Sequence, residues 1–134
     1  MSSILENRPA ILYVDNEIQN LVSFRALFRR DYTIYSASSL PEAIAILETH
    51  RAEIIICSKH IGTLTGIDFL ASTIGGYPNS SRLLVSDYAG QDMEDKAQIF
   101  RYLIKPWDEA DLAKVLKESH ELFVIKQAIS QNFW

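Results

Sequence analysis

The sequence predicts an α/β fold: a doubly wound sheet of five parallel strands with helices on both faces and an extended C-terminal helix. Three observations lead to it. Short apolar runs alternate five times with amphipathic segments, which can serve as the crossover connections that parallel strands require. The run Ile54-Ile55-Ile56 is uninterrupted, as expected of a strand buried on both faces. Polar residues follow several runs directly, at the edge where such sheets place their binding sites.

The first half of the chain contains two strand–helix units. Residues 10–14 form an apolar run that stops at Asp15, and apolar side chains then recur at helical spacing over residues 17–29. Residues 32–37 form the second strand candidate. Ser39 offers a capping hydroxyl ahead of the second helix, with a proline in the first turn and a glutamate three residues after the cap. These patterns predict the order strand, helix, strand, helix.

The middle of the chain repeats this arrangement. Residues 53–57 are the third strand candidate, and we expect residues 58–65 to form a loop. A third helix over residues 67–74 is terminated by Gly75-Gly76, since glycine readily ends a helix. Residues 82–85 are the fourth strand candidate.

The last unit is less regular. Residues 90–97 are weakly patterned and predict at most a short fourth helix, whereas residues 100–104 form the fifth strand candidate. Lys105-Pro106 ends that strand, and Asp108 can cap a final helix that runs towards the C-terminus.

Composition and charge restrict the classes of function. The chain has 134 residues, 48% of them hydrophobic, which is enough for one domain with its own core. A formal net charge of −4 provides no basic field for nucleic acid or an anionic membrane surface, so we expect neither as a partner. No apolar stretch approaches the roughly 20 residues of a membrane span, and the single cysteine, Cys57, lies in an apolar run as a buried thiol would. These features predict a soluble, cytoplasmic protein.

Two motifs carry a resemblance to a known family. With Val14-Asp15-Asn16-Glu17 and Lys105-Pro106-Trp107, the chain resembles the receiver domains of two-component response regulators over residues 10–121. Residues 1–9 would then be an N-terminal tail and residues 122–134 a helical extension. The resemblance implies a CheY-like, flavodoxin-like sheet of strand order 2-1-3-4-5. It also implies a site where acidic residues bind magnesium, an aspartate accepts phosphate, and a hydroxyl and a lysine hold that phosphate.

The functional positions of the family map onto particular residues of this chain. They are Asp15 and Asn16 for the acidic pair, Ser58 for the acceptor, Ser86 for the hydroxyl, Tyr102 for the switch aromatic and Lys105 for the lysine. Counting back from Gly66 fixes Ser58 as the acceptor position and places Gly62 where the family usually has proline. Two of the three acids are therefore missing, which identifies an atypical receiver, or pseudo-receiver.

The substitutions alter the chemistry expected of the site. A serine hydroxyl is not an anionic nucleophile and needs a base, which the motif does not supply. Magnesium prefers anionic oxygens, so we expect weak binding at Asp15 or none, and no other cofactor. With the phosphate chemistry gone, Lys105 would form an ion pair with Asp15.

Two alternatives remain open at this point. Asp87, next to Ser86, or Asp15 could act as a substitute phosphoacceptor. Ser58, His60 and Asp15 are the residue types of a hydrolytic triad, but neither a nucleophile elbow nor oxyanion donors accompany them. His50, His60 and His120 do not have the close spacing of metal ligands.

The final helix is longer than a sheet requires. Its residues at alternating spacings of three and four predict the seam of a short coiled coil, interrupted by Ser119 and Lys126. The apolar members of this seam are Leu112, Val115, Leu122, Ile129 and Phe133. A homodimer follows from this pattern. The alternatives are a tail folded back on the domain and the remnant of an output region.

The segment between Ala89 and Arg101 is also shorter than in relatives with the Lys-Pro-Trp motif, which predicts a fourth helix about one turn shorter and an altered partner surface. The function expected from the sequence is a non-enzymatic, phosphorylation-independent module that binds a signalling protein, such as a histidine kinase or an output protein, or that dimerises.

Overall fold

A central parallel sheet organises the molecule, for which a computed structural model describes residues 8–86 and 95–132. Its strands are β1 (Ala10–Val14), β2 (Thr33–Ala37), β3 (Ile54–Ser58), β6 (Ser81–Ser86) and β7 (Ile99–Ile104). They lie in the order β2-β1-β3-β6-β7, all neighbours parallel. The predicted fold class and the order 2-1-3-4-5 are therefore confirmed.

Four helices cover the two faces of this sheet. They are α1 (Ile18–Phe28), α2 (Leu40–Thr49), α3 (Gly66–Ser72) and α4 (Glu109–Asn132). A single 3-10 turn, Asp95–Ala97, stands in the region where a short fourth helix was predicted, and residues 87–94 lie outside the described ranges. Within those ranges, no helix combines the length and the apolar content that crossing a membrane requires.

The alternation of side chains along the strands divides the core into two layers. Ile11 and Tyr13 of β1 contribute to the layer beneath α1 and α4, whereas Leu12 and Val14 contribute to the layer beneath α2 and α3. Each of these side chains is fully buried, as is the whole isoleucine run of β3. Complete burial of one such side chain stabilises the fold by about 1.5–3 kcal/mol, so the two central strands anchor the sheet.

The predicted helix caps form. The Ser39 hydroxyl accepts a hydrogen bond from the backbone N–H of Glu42 at 3.3 Å. The Glu42 carboxylate in turn accepts from the backbone N–H of Ser38 at 2.7 Å, one residue before the cap. At the start of α4, the Asp108 carboxylate accepts from the N–H of Asp111 at 3.0 Å. These bonds satisfy donors that the first turn of a helix leaves unpaired.

The loop predicted over residues 58–65 needs correction, because it contains a small antiparallel hairpin. Strand β4 (His60–Ile61) pairs with β5 (Leu64–Thr65) across a two-residue turn. Gly62 begins that turn with a φ of +64°, a geometry typical of tight hairpins and closed to proline. The glycine at this position therefore suits the local backbone.

The seam predicted along the final helix is wrong in its first half. Leu112 is buried in the core beneath the sheet, and Val115 packs against the same cluster. Ser119 is also buried, and its carbonyl oxygen accepts a hydrogen bond from the Ser81 hydroxyl at 2.6 Å. These residues hold α4 onto its own sheet and cannot form a seam with another chain. Phe133, at the end of the predicted seam, lies outside the described ranges.

Candidate functional site

A pocket of about 250 Å³ opens at the carboxyl ends of β1, β3, β6 and β7. Its lining residues are Asn16, Glu17, Ser58, Lys59, His60, Gly62, Val85, Ser86 and Lys105. The strand register explains this grouping, because Ser58 pairs with Val85, and Ser86 with Ile104, at the same edge of the sheet. Four of the predicted site residues are thus brought together around one cavity.

Asp15 lies beneath this pocket and is fully buried. Its Oδ2 accepts hydrogen bonds from the Tyr13 hydroxyl at 2.7 Å and from Asn20 Nδ2 at 3.0 Å. Its Oδ1 accepts from the backbone N–H of Glu17 at 2.9 Å. Both carboxylate oxygens are therefore satisfied by donors of the chain itself, as a buried charge requires.

Lys105 neutralises this buried carboxylate. Its Nζ lies 3.3 Å from Asp15 Oδ2 and 3.4 Å from Glu17 Oε1, and its side chain is only 15% exposed. The backbone N–H of Lys105 also donates to the carbonyl oxygen of Ser86 at 2.8 Å, which fixes the end of β7 beside β6. The predicted ion pair with Asp15 is present.

Ser58 ends β3 and is 8% exposed. Its carbonyl oxygen lies against Gly66, where any Cβ would collide with it, so a glycine is needed at the start of α3. In the part of the chain that the structure describes, the Ser58 hydroxyl has no hydrogen-bond partner and hence no base beside it. Among the described residues, no side chain is bonded to this hydroxyl in a way that would activate it for attack.

The arrangement does not support the triad considered from the sequence. His60 is exposed on β4, and among the described residues it makes no hydrogen bond to Ser58. Asp15, the third candidate, is bonded to Tyr13, Asn20 and Lys105 instead of to a histidine. The relay from acid to imidazole to hydroxyl is absent from this geometry.

Tyr13 and Asn20 are site residues that the sequence reasoning missed. Burial, followed by the charge of Asp15, raises the pKa of the Tyr13 phenol well above its ordinary value, so Tyr13 stays a proton donor. Its ring packs edge-on against Phe24 at 4.9 Å and Trp107 at 6.1 Å between centroids. Because side chains two apart on a strand share a face, the alternation in β1 could have indicated the contact between Tyr13 and Asp15.

Two other predicted positions differ in how far the structure defines them. Tyr102 is partly buried and packs against the core layer beneath α2 and α3, away from the lining of the pocket. Asp87, the substitute acceptor considered from the sequence, lies outside the described ranges.

Among the described residues, the three positions that the family uses for magnesium do not fit a site for this ion. Asp15 is the one carboxylate among Asp15, Asn16 and Ser58, and both its oxygens already have donors. Over residues 8–86 and 95–132, no three His, Cys, Asp or Glu side chains converge as metal ligands. His50 is stacked on Tyr35 at 4.5 Å and bonded to the Thr49 hydroxyl at 2.8 Å, which is a local role.

The chain is similar in sequence to part of a known transcriptional regulatory protein. No family model matches the chain. The hydrogenase transcriptional regulatory protein HoxA of Bradyrhizobium diazoefficiens is 26% identical over 123 residues, which make up 87% of this chain and 25% of that protein. The chain thus spans about a quarter of the length of the curated relatives it matches.

The fold is similar to that of receiver domains whose structures have been solved. The signal receiver domain of an HD domain-containing protein from Pseudomonas fluorescens Pf-5 aligns with a TM-score of 0.82 and 28% identity, over 87% of this chain and 98% of that one. A CheY-like response regulator receiver domain protein from Methanospirillum hungatei JF-1 aligns with a TM-score of 0.82 and 20% identity, over 90% and 99%.

Proposed function

We propose that this chain, which has the CheY-like receiver fold of two-component signalling proteins, is a pseudo-receiver that works without phosphorylation, as a protein-interaction or dimerisation module. The observation that carries the proposal is the state of the acceptor site. A serine with no base beside it among the described residues ends β3, and the buried carboxylate of Asp15 is already neutralised by Lys105. The chain supplies its own cation at this site.

The chemistry of phosphoryl transfer explains why this state favours an unphosphorylated module. An aspartate attacks as an anion, and a metal ion offsets its repulsion from the incoming phosphoryl group. Ser58 would first have to lose its proton, and no described side chain accepts it. The ion pair of Lys105 with Asp15 and Glu17 then favours a single arrangement of the site.

Signal output would therefore depend on protein binding. The HoxA relatives are transcriptional regulatory proteins, of which this chain matches one quarter, so the partners we propose are a histidine kinase, an output protein or a second copy of the chain. We propose a non-enzymatic role in the cytoplasm, with no cofactor of its own.

Trp107 fluorescence tests the proposal. The indole lies 6.1 Å from the Tyr13 ring, and the Tyr13 hydroxyl bonds to Asp15, so a change at the acceptor site should reach it. In a Trp134→Phe background, we expect magnesium followed by beryllofluoride, a phosphoryl mimic that attaches to acceptor aspartates, to leave the emission unchanged. The variant Ser58→Asp/Asn16→Asp should respond, which would show that the scaffold can still transmit the change.

A saturable response of the Trp134→Phe background chain would overturn the proposal and direct attention to a substitute acceptor. The variants Asp87→Asn and Asp15→Asn would then identify the acceptor, because only substitution of the acceptor itself abolishes labelling of the protein by a small phosphodonor. The buried, fully bonded state of Asp15 argues against that residue.

A further inference from the structure

We infer that two copies of this chain pair in parallel through α4, along an exposed stripe formed by Leu122, Ile125 and Ile129. In this pairing, Glu121 of each copy faces Lys126 of the other. The inference rests on the proposed function, because it names a second copy as the partner and specifies how that copy is recognised.

The exposed stripe is apolar surface that the domain itself does not cover. Ile125 is 55% exposed and Ile129 is 51% exposed, and the partly buried Leu122 extends the stripe towards the start of the helix. At 3.6 residues per turn, the centre of the stripe lies about 115° around the helix from the face that packs on the sheet. A second helix can therefore lie on the stripe without displacing the domain beneath α4.

The spacing of the stripe suits a coiled-coil seam. Residues 122, 125 and 129 are separated by three and then four positions, the a, d, a pattern of a heptad repeat. The seam predicted from the sequence ran through Ser119 and Lys126. Because Ser119 packs against the sheet, the exposed seam lies further around the helix, and Ile125 takes the position that was assigned to Lys126. The structure thus supplies a seam with apolar residues at three successive positions.

Charge then selects the partner and the orientation. With Leu122 at an a position, Glu121 is at g and Lys126 at e, the two positions that flank a seam and form interhelical ion pairs. In a parallel pair, Glu121 of one helix lies opposite Lys126 of the other, and the contact occurs twice. An antiparallel pair would instead bring g positions opposite g positions and e positions opposite e positions, so Glu121 would not face Lys126. The helix is therefore complementary to a parallel copy of itself.

Lys126 lacks this counter-charge among the described residues of its own chain. In the described ranges no carboxylate pairs with it, and burial together with the charge of Arg82 lowers its pKa. Arg82 is 1% exposed, and within the described ranges its guanidinium donates to the carbonyl oxygens of Tyr77 at 2.9 Å and Pro78 at 3.4 Å, while its Nε has no acceptor. The charge of Arg82 thus reaches Lys126, no carboxylate of the described residues pairs with either side chain, and Glu121 of a second copy would supply one.

The pairing should be weak enough to reverse on dilution. Glu118, at the preceding seam position, lies 3.7 Å from Arg101 of its own β7, so the apolar seam begins only at Leu122. About two turns of seam bury little area, and isolated contacts of this length are marginal. Sedimentation velocity of the full chain across a concentration series should therefore show a monomer–dimer equilibrium.

Charge reversal tests the orientation. Glu121→Lys and Lys126→Glu should each weaken the dimer at least tenfold, because each creates two like-charge contacts. Mixing the two variants should restore association, since every contact in the mixed dimer again joins a lysine to a glutamate. A mixture that stays monomeric, or single reversals that dimerise as well as the unaltered chain, would overturn the parallel pairing.

Val124 provides a matched control for the stripe. It is 48% exposed and adjacent in sequence to Ile125, but it points to another side of the helix. Ile125→Asp should abolish the dimer while Val124→Asp leaves it intact, with circular dichroism confirming that both variants are folded. An effect of both or of neither would overturn the assignment of the stripe. A monomeric chain that ignores beryllofluoride would refute the pairing alone, whereas a beryllofluoride response would refute the proposed function alone.

Discussion

Tyr13 shows how much a single hydroxyl can contribute at the candidate site. It donates at 2.7 Å to a carboxylate that is fully buried, and its high pKa keeps it protonated throughout the physiological range. Without this donor, Asp15 Oδ2 would keep only Asn20 and Lys105 as neighbours. The phenol is therefore part of what makes a buried negative charge tolerable at this position.

Removing this hydroxyl gives a prediction at the same scale. Tyr13→Phe should lower the free energy of unfolding by about 1.5–3 kcal/mol, the range for hydrogen bonds to charged groups, while the ring contacts with Phe24 and Trp107 remain. Urea unfolding measures the loss. Tyr35→Phe is the matched control, because no hydrogen bond to the Tyr35 hydroxyl is present among the described residues, and it should change stability by less than about 0.5 kcal/mol. Equal losses in the two variants would contradict this account of Tyr13.

Among the elements, the junction of β3 with α3 positions the acceptor residue. Gly66 lets the Ser58 carbonyl oxygen approach the start of α3, and its N–H donates to the carbonyl oxygen of Lys59 at 2.7 Å. The β4–β5 hairpin occupies the residues in between. Ser58 is thus held in position by the backbone contacts at this junction.

Substitution of this glycine tests the close approach. Gly66→Ala should destabilise the protein by about 1–3 kcal/mol or more, because the added methyl group would collide with the backbone of Ser58. Gly75→Ala is a suitable comparison, because a Cβ there meets nothing within 4 Å. Thermal unfolding of the two variants should differ clearly, and a Gly66→Ala protein as stable as Gly75→Ala would refute the role assigned to the junction.

The elements also show where sequence reasoning succeeds. The strands and caps were predictable because burial on both faces and capping chemistry leave local patterns, as at Ser39 and Asp108. The hairpin at Gly62 was not predictable, because strands of two residues are too short to show an alternation of apolar and polar residues. The seam of α4 was misplaced because spacings of three and four fit several overlapping helix faces. Only contact with the sheet decides that Ser119 points inwards and Ile125 outwards.

At the scale of the site, the spacing of residues in the sequence predicted which residues lie together, but it did not predict the hydrogen bonds that they form. The positions of Asp15, Ser58, Ser86 and Lys105 at one sheet edge followed from the alternation of strands and helices and from the resemblance. That Asp15 is satisfied from within the chain depends on Tyr13 and Asn20, whose side-chain directions are set by packing.

For the whole molecule, the burial of Cys57 in the central strand links thiol chemistry to global unfolding. Burial, aided by the charge of Asp15, raises the pKa of Cys57 to about 12. The thiol ionises first in the unfolded chain, so between its ordinary pKa of about 9 and the folded value the unfolded state binds fewer protons and stability falls as pH rises.

This linkage predicts two measurable effects. Alkylation of native Cys57 at pH 8 should proceed only at the rate of global opening, and it should accelerate in urea in parallel with unfolding. The loss of stability above pH 9 should be smaller in Cys57→Ala than in the unaltered protein. Rapid alkylation under native conditions would show that the strand opens locally, and identical alkaline profiles would show that folding does not raise the pKa of the thiol.

The ion pair of Lys105 with Asp15 also has a consequence for how the protein responds to its surroundings. A site that takes its cation from solution is filled in proportion to the free ion, and its stability follows that supply by mass action. Here the cation is tethered to the polypeptide, so its local concentration is fixed when the chain is synthesised. Dialysis against chelators or excess magnesium should therefore leave the melting temperature unchanged. We therefore expect the stability of this site not to follow the concentration of free divalent ions.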